Sequence, residues 1–296
     1  MAAANDRLLG FMLPGRSARG RIVRLGPVLD SILSAHAYPA AIARLLAEAL
    51  LLAAMTGDLL RPDDGQLTIQ ARGSGGPLTL LVADWRDGEL RGYAQQDLDR
   101  RRAMPDGDMR PGLERLFGAG YLAITLEQTL VSERYQGIVA LGETCLEESA
   151  EHYFNSSEQV PTLVRLAAAP GPDGRWLAGG FLVQQLSRAE RDGPRLHVEA
   201  GGEDWAHVRA LAATLKPDEL LDPALSDEEL LWRLFNEDEV RVLPARALSR
   251  GCRCNAAHIR TVLEQFPEDE RADMRNADGV ISVDCEFCSR QFLMRV

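Results

Sequence analysis

From about residue 19 to 185 the chain alternates short apolar runs with turn residues, the pattern of strands with one buried face. Candidate strands cover 21–25, 67–72, 78–84, 90–94, 121–126 and 137–141, and two more, 163–168 and 176–185, flank the turn-rich APGPDGR. Helical stretches fall at 39–57, 111–118 and about 144–155. Strands paired as hairpins with helices between them predict an α+β domain of mainly antiparallel sheets, not a doubly wound parallel one. The most apolar stretch, PAAIARLLAEALLLAAMTGDLL at 39–60, is interrupted by Arg44 and Glu48. Its uncharged run falls far short of the roughly 20 residues a membrane span requires. Opened by Pro39 and ended near Gly57, it reads as a buried core helix.

Beyond 186 the pattern changes. SRAERDGPR and the mixed, acidic stretch that follows read as a helical connector rather than a compact core. SDEELLWRLFNEDEV then opens with a capping box, Ser226 with Glu229. Leu230, Leu231, Leu234 and Phe235 give that helix an apolar stripe, with Trp232 beside it. The plain reading is a helix docked on its neighbour; the sharper one is a helix that docks only under some conditions. The divisions predicted are an α+β core at 1–188, a helical linker at 189–248 and a small C-terminal module at 249–296.

Composition narrows the function. The 296 residues are 46% hydrophobic, enough for a sizeable core, and carry a formal net charge of −11. That charge disfavours a nucleic acid partner, since phosphate binding needs a basic surface. The N-terminus has no charged start followed by a long apolar run, so neither a signal peptide nor a membrane anchor is expected. A cytoplasmic location follows as the expectation, and there clustered cysteines point to metal or redox chemistry rather than structural disulfides.

Most of the remaining motifs read as structure. RGSGGP at 72–77 leads into LTLLVAD, so it predicts a hairpin turn and not a phosphate loop, which should open a helix. There is no G-x-S-x-G, no H-E-x-x-H and no convincing catalytic triad spacing. His36, His152, His197 and His207 are isolated and read as surface or packed residues. Cys145, at the start of a predicted helix, reads as a small half-buried apolar group.

The other four of the five cysteines lie near the C-terminus, as C-R-C (Cys252, Cys254) and C-E-F-C (Cys285, Cys288), with 30 residues between the pairs. Two such pairs supply the four corners of a tetrahedral zinc site, since zinc prefers sulfur and imidazole. Gly251 gives freedom for the sharp bend that C-x-C needs. His258 competes as a ligand only if the sulfur set is incomplete. Between the pairs, Asn255 caps a helix whose apolar face is Ile259, Val262, Leu263 and Phe266, and Pro267 closes it. A turn at Asp278–Gly279 leads into a strand that carries Cys285, and Phe287 and Phe292 are placed to cover the metal.

A module of 48 residues rarely folds on its own core. Structural zinc supplies on the order of 10–16 kcal/mol in such modules, and that is folding energy. Each sulfur pair is also close enough to oxidise within itself, and a disulfide does not hold zinc as thiolates do. Oxidation would then unfold the module and expose Ile259, Val262, Leu263, Phe266, Ile281 and Val283. The rival readings are a permanent zinc clip, a nucleic-acid-binding ribbon, and a thiol–disulfide oxidoreductase. The module's net charge of −1 before thiolates disfavours the ribbon, and the lack of a βαβ context disfavours the oxidoreductase.

With those cysteines the chain closely resembles the redox-regulated chaperones of the heat-shock-protein-33 family. The resemblance covers nearly the whole length: LLWRLFNEDEVRV before the first pair, and GAGYLAIT, SERYQGIVALGE, HYFNSSEQVPT and WLAGGFLVQQL in the core. It implies a holdase that uses no ATP and is not an enzyme. The reduced form would hold one Zn2+ through Cys252, Cys254, Cys285 and Cys288. Oxidation would form Cys252–Cys254 and Cys285–Cys288 disulfides, release zinc, unfold module and linker, and bring homodimerisation and binding of unfolded client proteins. The chain departs from the family in stopping eight residues after Cys288, where some members carry a longer helical tail.

Overall fold

The computed structural model describes residues 6–59, 65–102, 108–128, 133–142, 144–186 and 202–295. The alternating runs form strands that reach somewhat beyond the alternation, because a paired neighbour satisfies the backbone at their ends. In chain order they are β1 (Arg7–Leu13), β2 (Ala18–Leu25), β3 (Gln66–Gly75), β4 (Leu78–Arg86), β5 (Glu89–Gln96), β6 (Gly118–Gln128) and β7 (Glu133–Ala140). They continue as β8 (Thr162–Pro170), β9 (Trp176–Gln185), β10 (Arg241–Val242), β11 (Arg246–Ala247), β12 (Ser249–Arg250), β13 (Ile281–Asp284) and β14 (Gln291–Met294). The first helices are α1 (Pro27–Leu33), α2 (Ala40–Gly57), α3 (Leu98–Arg102), α4 (Leu113–Phe117) and α5 (Leu146–Ser156). Then come α6 (Glu203–Ala212), α7 (Pro217–Leu221), α8 (Asp227–Phe235), α9 (Ala256–Leu263) and α10 (Glu268–Met274).

The architecture is α+β. One sheet runs in the order β10-β1-β2-β9-β8, with β11 also on β1; a second runs β12-β5-β4-β3-β6-β7. All pairings are antiparallel except β12 on β5. RGSGGP is the turn of the β3–β4 hairpin, with Gly75 at φ +109°, a conformation suited to glycine.

Helix α2 lies between the sheets and is buried at every position from Ala41 to Gly57. Its length and composition would allow a membrane crossing, yet 94% of it is enclosed by the protein. A helix apolar all round is stable in a large core for the same reason it is stable in lipid. The stretch therefore forms the core helix that its interrupting charges predicted. Arg44 and Glu48 pair within it. Burial first, against the pull of Arg44, raises the Glu48 carboxyl to about 7.

Strand β1 was not foreseen. In RLLGFML, Leu8 points to the α2 core while Leu9, Phe11 and Leu13 enter a second cluster on the sheet's other face. A strand buried on both faces loses its alternation, so the period-two signal vanishes.

That second cluster corrects the reading of 202–222 as a connector without a core, and it bears out the plain reading of the helix after Ser226 as one docked on its neighbour. Trp205, Val208 and Ala212 of α6, Leu220 of α7, and Leu230, Leu231, Leu234 and Phe235 of α8 pack on Leu9, Phe11, Ile22, Phe181 and Val183. The Phe11 ring lies 5.6 Å from Phe181 and 6.1 Å from Phe235. The Ser226–Glu229 capping box forms, and Trp232 stays 68% exposed. After Phe235 the chain runs extended, laying β10 and β11 on one sheet and β12 on the other. Residues 187–201, with SRAERDGPR and His197, lie outside the described residues.

Beneath these helices sits a buried ion pair. Arg24 Nε donates to Asp227 Oδ1 at 2.8 Å, and the side chains are 4% and 0% exposed. The same guanidinium donates to the carbonyls of Asp222, Glu219 and Leu225, and Arg7 donates to the other Asp227 oxygen. Fully paired on both sides, it holds the α7–α8 corner to β2.

Candidate metal centre

Strand β12 delivers Cys252 and Cys254 to a point just above β5. Asn255 caps α9 through a hydrogen bond from the Ala257 amide, turning the chain away. The 281–284 strand and its Gly279 turn (φ +70°) form as expected and bring Cys285 alongside. A tight knuckle then folds Cys288 back, with the Ser289 amide donating to the Cys285 carbonyl at 2.8 Å and Ser289 at φ +54°.

The four sulfurs converge within 4.8 Å of one another. Sγ distances are 3.4 Å for Cys252–Cys254, 3.6 Å for Cys252–Cys285 and 3.6 Å for Cys254–Cys288. A cation with bonds of about 2.3 Å to four tetrahedral sulfurs sets them about 3.8 Å apart, so the donor set fits zinc in kind and in spacing. Burial, then hydrogen bonds with Cys252 and Cys288, pushes the Cys254 thiol up to about 12. A divalent cation among the sulfurs inverts that preference, since it binds thiolates.

Around the sulfurs the module has little else. Its core is Leu263, Ile281, Phe292 and Met294, with Ile259, Val283, Cys254 and Cys285 partly buried against them. Two members of the predicted helix face, Val262 and Phe266, are 39% and 37% exposed instead. Pro267 closes α9 and also starts α10, which the sequence reading lacked. His258 is exposed on α9 and outside the sulfur cluster.

Two expectations need correction. Phe292 is in the module's core, but Phe287 does not cover the sulfurs; it packs on Arg91 and Tyr93 of β5. Gly251 is not at positive φ; a Cβ there would come 2.5 Å from Glu89 Oε2 and 2.6 Å from Glu89 Cβ, so glycine permits close approach to β5. Neither role had a signal in the sequence, since both depend on a strand some 160–200 residues earlier in the chain.

The other candidates sit apart. Cys145 is half-buried at the N-cap of α5, its thiol raised by burial. His152 is exposed, His207 pairs with Asp238 at 3.0 Å, and His36 lies beside Ser289.

A family model described as "Hsp33 protein" matches residues 6–295. The chain belongs to the Hsp33 family. Among curated relatives, a protein named 33 kDa chaperonin from Caulobacter vibrioides is 41% identical over 97% of this chain and 93% of its own. One of the same name from Yersinia pestis is 31% identical over 98% and 92%. The fold is shared with the crystal structure of the 33 kDa chaperonin (heat shock protein 33 homolog) of Thermotoga maritima, with a TM-score of 0.78 at 23% identity, covering 98% and 95% of the two chains.

Proposed function

We propose that this member of the Hsp33 family is a holdase chaperone that uses no nucleotide and is switched by oxidation of its four clustered cysteines. The observation that carries the reading is the convergence of four thiols in a module whose own apolar core is too small to hold it. In the reduced state Cys252, Cys254, Cys285 and Cys288 would hold one Zn2+, which supplies the folding energy the module lacks.

The chain's own residues supply the switch. One thiolate attacks a peroxide oxygen, breaking the O–O bond and expelling hydroxide to leave a sulfenic acid. A neighbouring thiolate attacks that sulfur, expels a second hydroxide and forms the S–S bond. Each pair thus loses two electrons, the two hydroxides take up two protons from solvent to leave as water, and the sulfurs no longer bind a cation as thiolates do. Family resemblance implies pairing within Cys252–Cys254 and Cys285–Cys288; the cross pairs 252–285 and 254–288, at 3.6 Å each, lie only slightly farther apart than Cys252 and Cys254 at 3.4 Å.

Release of the module frees β12 and then the linker. The face exposed as α6–α8 leave carries Leu9, Phe11, Ile22, Phe181 and Val183, an apolar surface suited to unfolded client proteins. Exposed faces of this kind also favour a homodimer. A cytoplasmic setting and a non-enzymatic role complete the reading. The oxidoreductase alternative is disfavoured because Cys285 and Cys288 lie in a β-hairpin knuckle, not at the start of a helix after a strand.

The test uses reduced, zinc-loaded protein treated with peroxide at mildly elevated temperature, following zinc release and suppression of aggregation of a denatured client. Both should rise together. Zinc that stays bound, or leaves without any gain in anti-aggregation activity, refutes the reading. Turnover of insulin disulfides with a thiol cofactor would favour the oxidoreductase.

A further inference from the structure

Two of the side chains that meet the core from the C-terminal module come from inside the cysteine pairs. Phe287, enclosed by Cys285 and Cys288, places its ring 3.9 Å from the Arg91 guanidinium carbon and 4.9 Å, edge-on, from the Tyr93 ring. Arg91 is held in place for this: Asp84 pairs with it at 2.6 Å and accepts at 2.7 Å from Thr68 Oγ1 on the neighbouring strand. Just past the pair, Ser289 Oγ donates to the Ala35 carbonyl at 2.7 Å.

Arg253, enclosed by Cys252 and Cys254, reaches the opposite side of the same sheet face and donates to Gln66 on β3. Its Nε and Nη2 are buried with no hydrogen-bond partner. Asp84 and Glu89 are nearby, but so are Arg91 and Arg86, and Asp84 is already engaged by Arg91 and Thr68. A half-buried guanidinium with two buried, idle nitrogens beside like charge opposes the docking that encloses it. One enclosed residue therefore binds the sheet well and the other binds it poorly.

We propose that Phe287 and Arg253 act as an opposed pair, the seating of Phe287 on Arg91 and Tyr93 holding the module down while Arg253 keeps that hold weak, so that closing either cysteine pair undocks it. The docking half stands on the reduced protein alone; only the last step rests on the redox reading above. In that step two thiols give up two protons and two electrons to a peroxide, which leaves as water, and closing the small ring re-aims the side chain it encloses. Undocking is transmitted through the chain itself. Strand β12, immediately before Cys252, is held to β5 by the Ser249 amide on the Gly88 carbonyl (3.0 Å) and the Gly251 amide on the Leu90 carbonyl (2.9 Å). Upstream the chain runs back to β11 and β10, which lie on β1 beside the linker helices.

The experiment measures hydrogen exchange at the Ser249 and Gly251 amides in full-length, reduced, zinc-loaded protein. Phe287→Ala should speed exchange there by about tenfold, the range of a partly desolvated cation–π contact, and Tyr93→Ala by about threefold, the range of an edge-on aromatic pair. The double variant should do no more than Phe287→Ala alone, zinc should stay stoichiometric, and the β13–β14 amides should keep their protection. Arg253→Met should slow exchange at Ser249 and Gly251, and delay undocking after peroxide without changing zinc release. If Phe287→Ala loses zinc, Tyr93→Ala decides, because Tyr93 lies outside the module and, unlike Arg91, bears no charge toward Arg253. Unchanged exchange in Tyr93→Ala, or faster exchange in Arg253→Met, overturns the proposal. Failure of peroxide to release zinc from the wild-type protein defeats the redox reading and leaves the reduced-state contrast standing.

Discussion

The core domain and the C-terminal module are both built of helix and antiparallel strand, yet they are held by different forces. In the core, α2 is buried along its length between two sheets, and Leu45, Leu46, Leu50, Leu51 and Leu52 are at most 1% exposed. In the module, Leu263 is the buried residue of α9, and α10 buries none. Apolar burial does not respond to oxidants; four thiols do. On the function proposed above, the same chain carries one fold that persists across redox conditions and one that depends on them. The linker lies between the two in kind as well as in place, since its helices use core-type packing but its end is tied to the module.

Removing the cation should break the comparison most sharply. A chelator, or Cys285→Ser, is expected to unfold the module, with an energy scale of about 10–16 kcal/mol behind it, while the core's thermal transition persists. Amide spectra are the check: β13–β14 cross-peaks that survive without metal would mean the small apolar core suffices.

Leu50→Ala tests the other side. A fully buried leucine should cost about 3–4 kcal/mol, read as a lower urea midpoint of the main transition, with zinc stoichiometry unchanged. If the module lost its metal first, the two regions would not be energetically separate.

The linker is next. Asp227→Asn leaves Arg24 buried without its counter-charge, and about 3 kcal/mol of docking should be lost. Limited proteolysis should then cut within 213–226 in reduced protein. Resistance there would show that apolar packing alone seats α7 and α8.

The smallest effect concerns pH. Burial raises the folded-state Glu48 carboxyl to about 7 from its usual 4.5, so between those values the native state binds the extra proton. Core stability should therefore fall as pH climbs from about 4.5 to 7, by on the order of 2 kcal/mol, and Glu48→Gln should flatten that slope. Urea midpoints at pH 5 and pH 8 for both proteins decide it; equal slopes would exclude Glu48 as the source.

Local signals were legible where the side chains concerned face one environment. Strands such as β3 and β5 could be placed because one face meets the core and alternation survives. The α2 helix could be placed because Arg44 and Glu48 shortened its uncharged run. The cysteine pairs could be read as a metal set because ligand spacing is a local property. Strand β1 could not, because a second buried face leaves no periodic mark, and the partner surface of α6–α8 could not, because an apolar stripe does not say what it packs on.

Sequence by itself determined the α+β class, the buried helix, the capping box and the four sulfurs as a unit, because each leaves a pattern of residue types at short spacing. Only the tertiary structure decided what those units lean on. Phe287 looks like a metal cover until Arg91 and Tyr93 appear beneath it, and Gly251 looks like a hinge until Glu89 fills the space where a Cβ would go. Arg253 looks like an ordinary surface charge until docking buries two of its nitrogens without partners. Each of these depends on a neighbour brought near by folding, and no pattern along the chain encodes that distance.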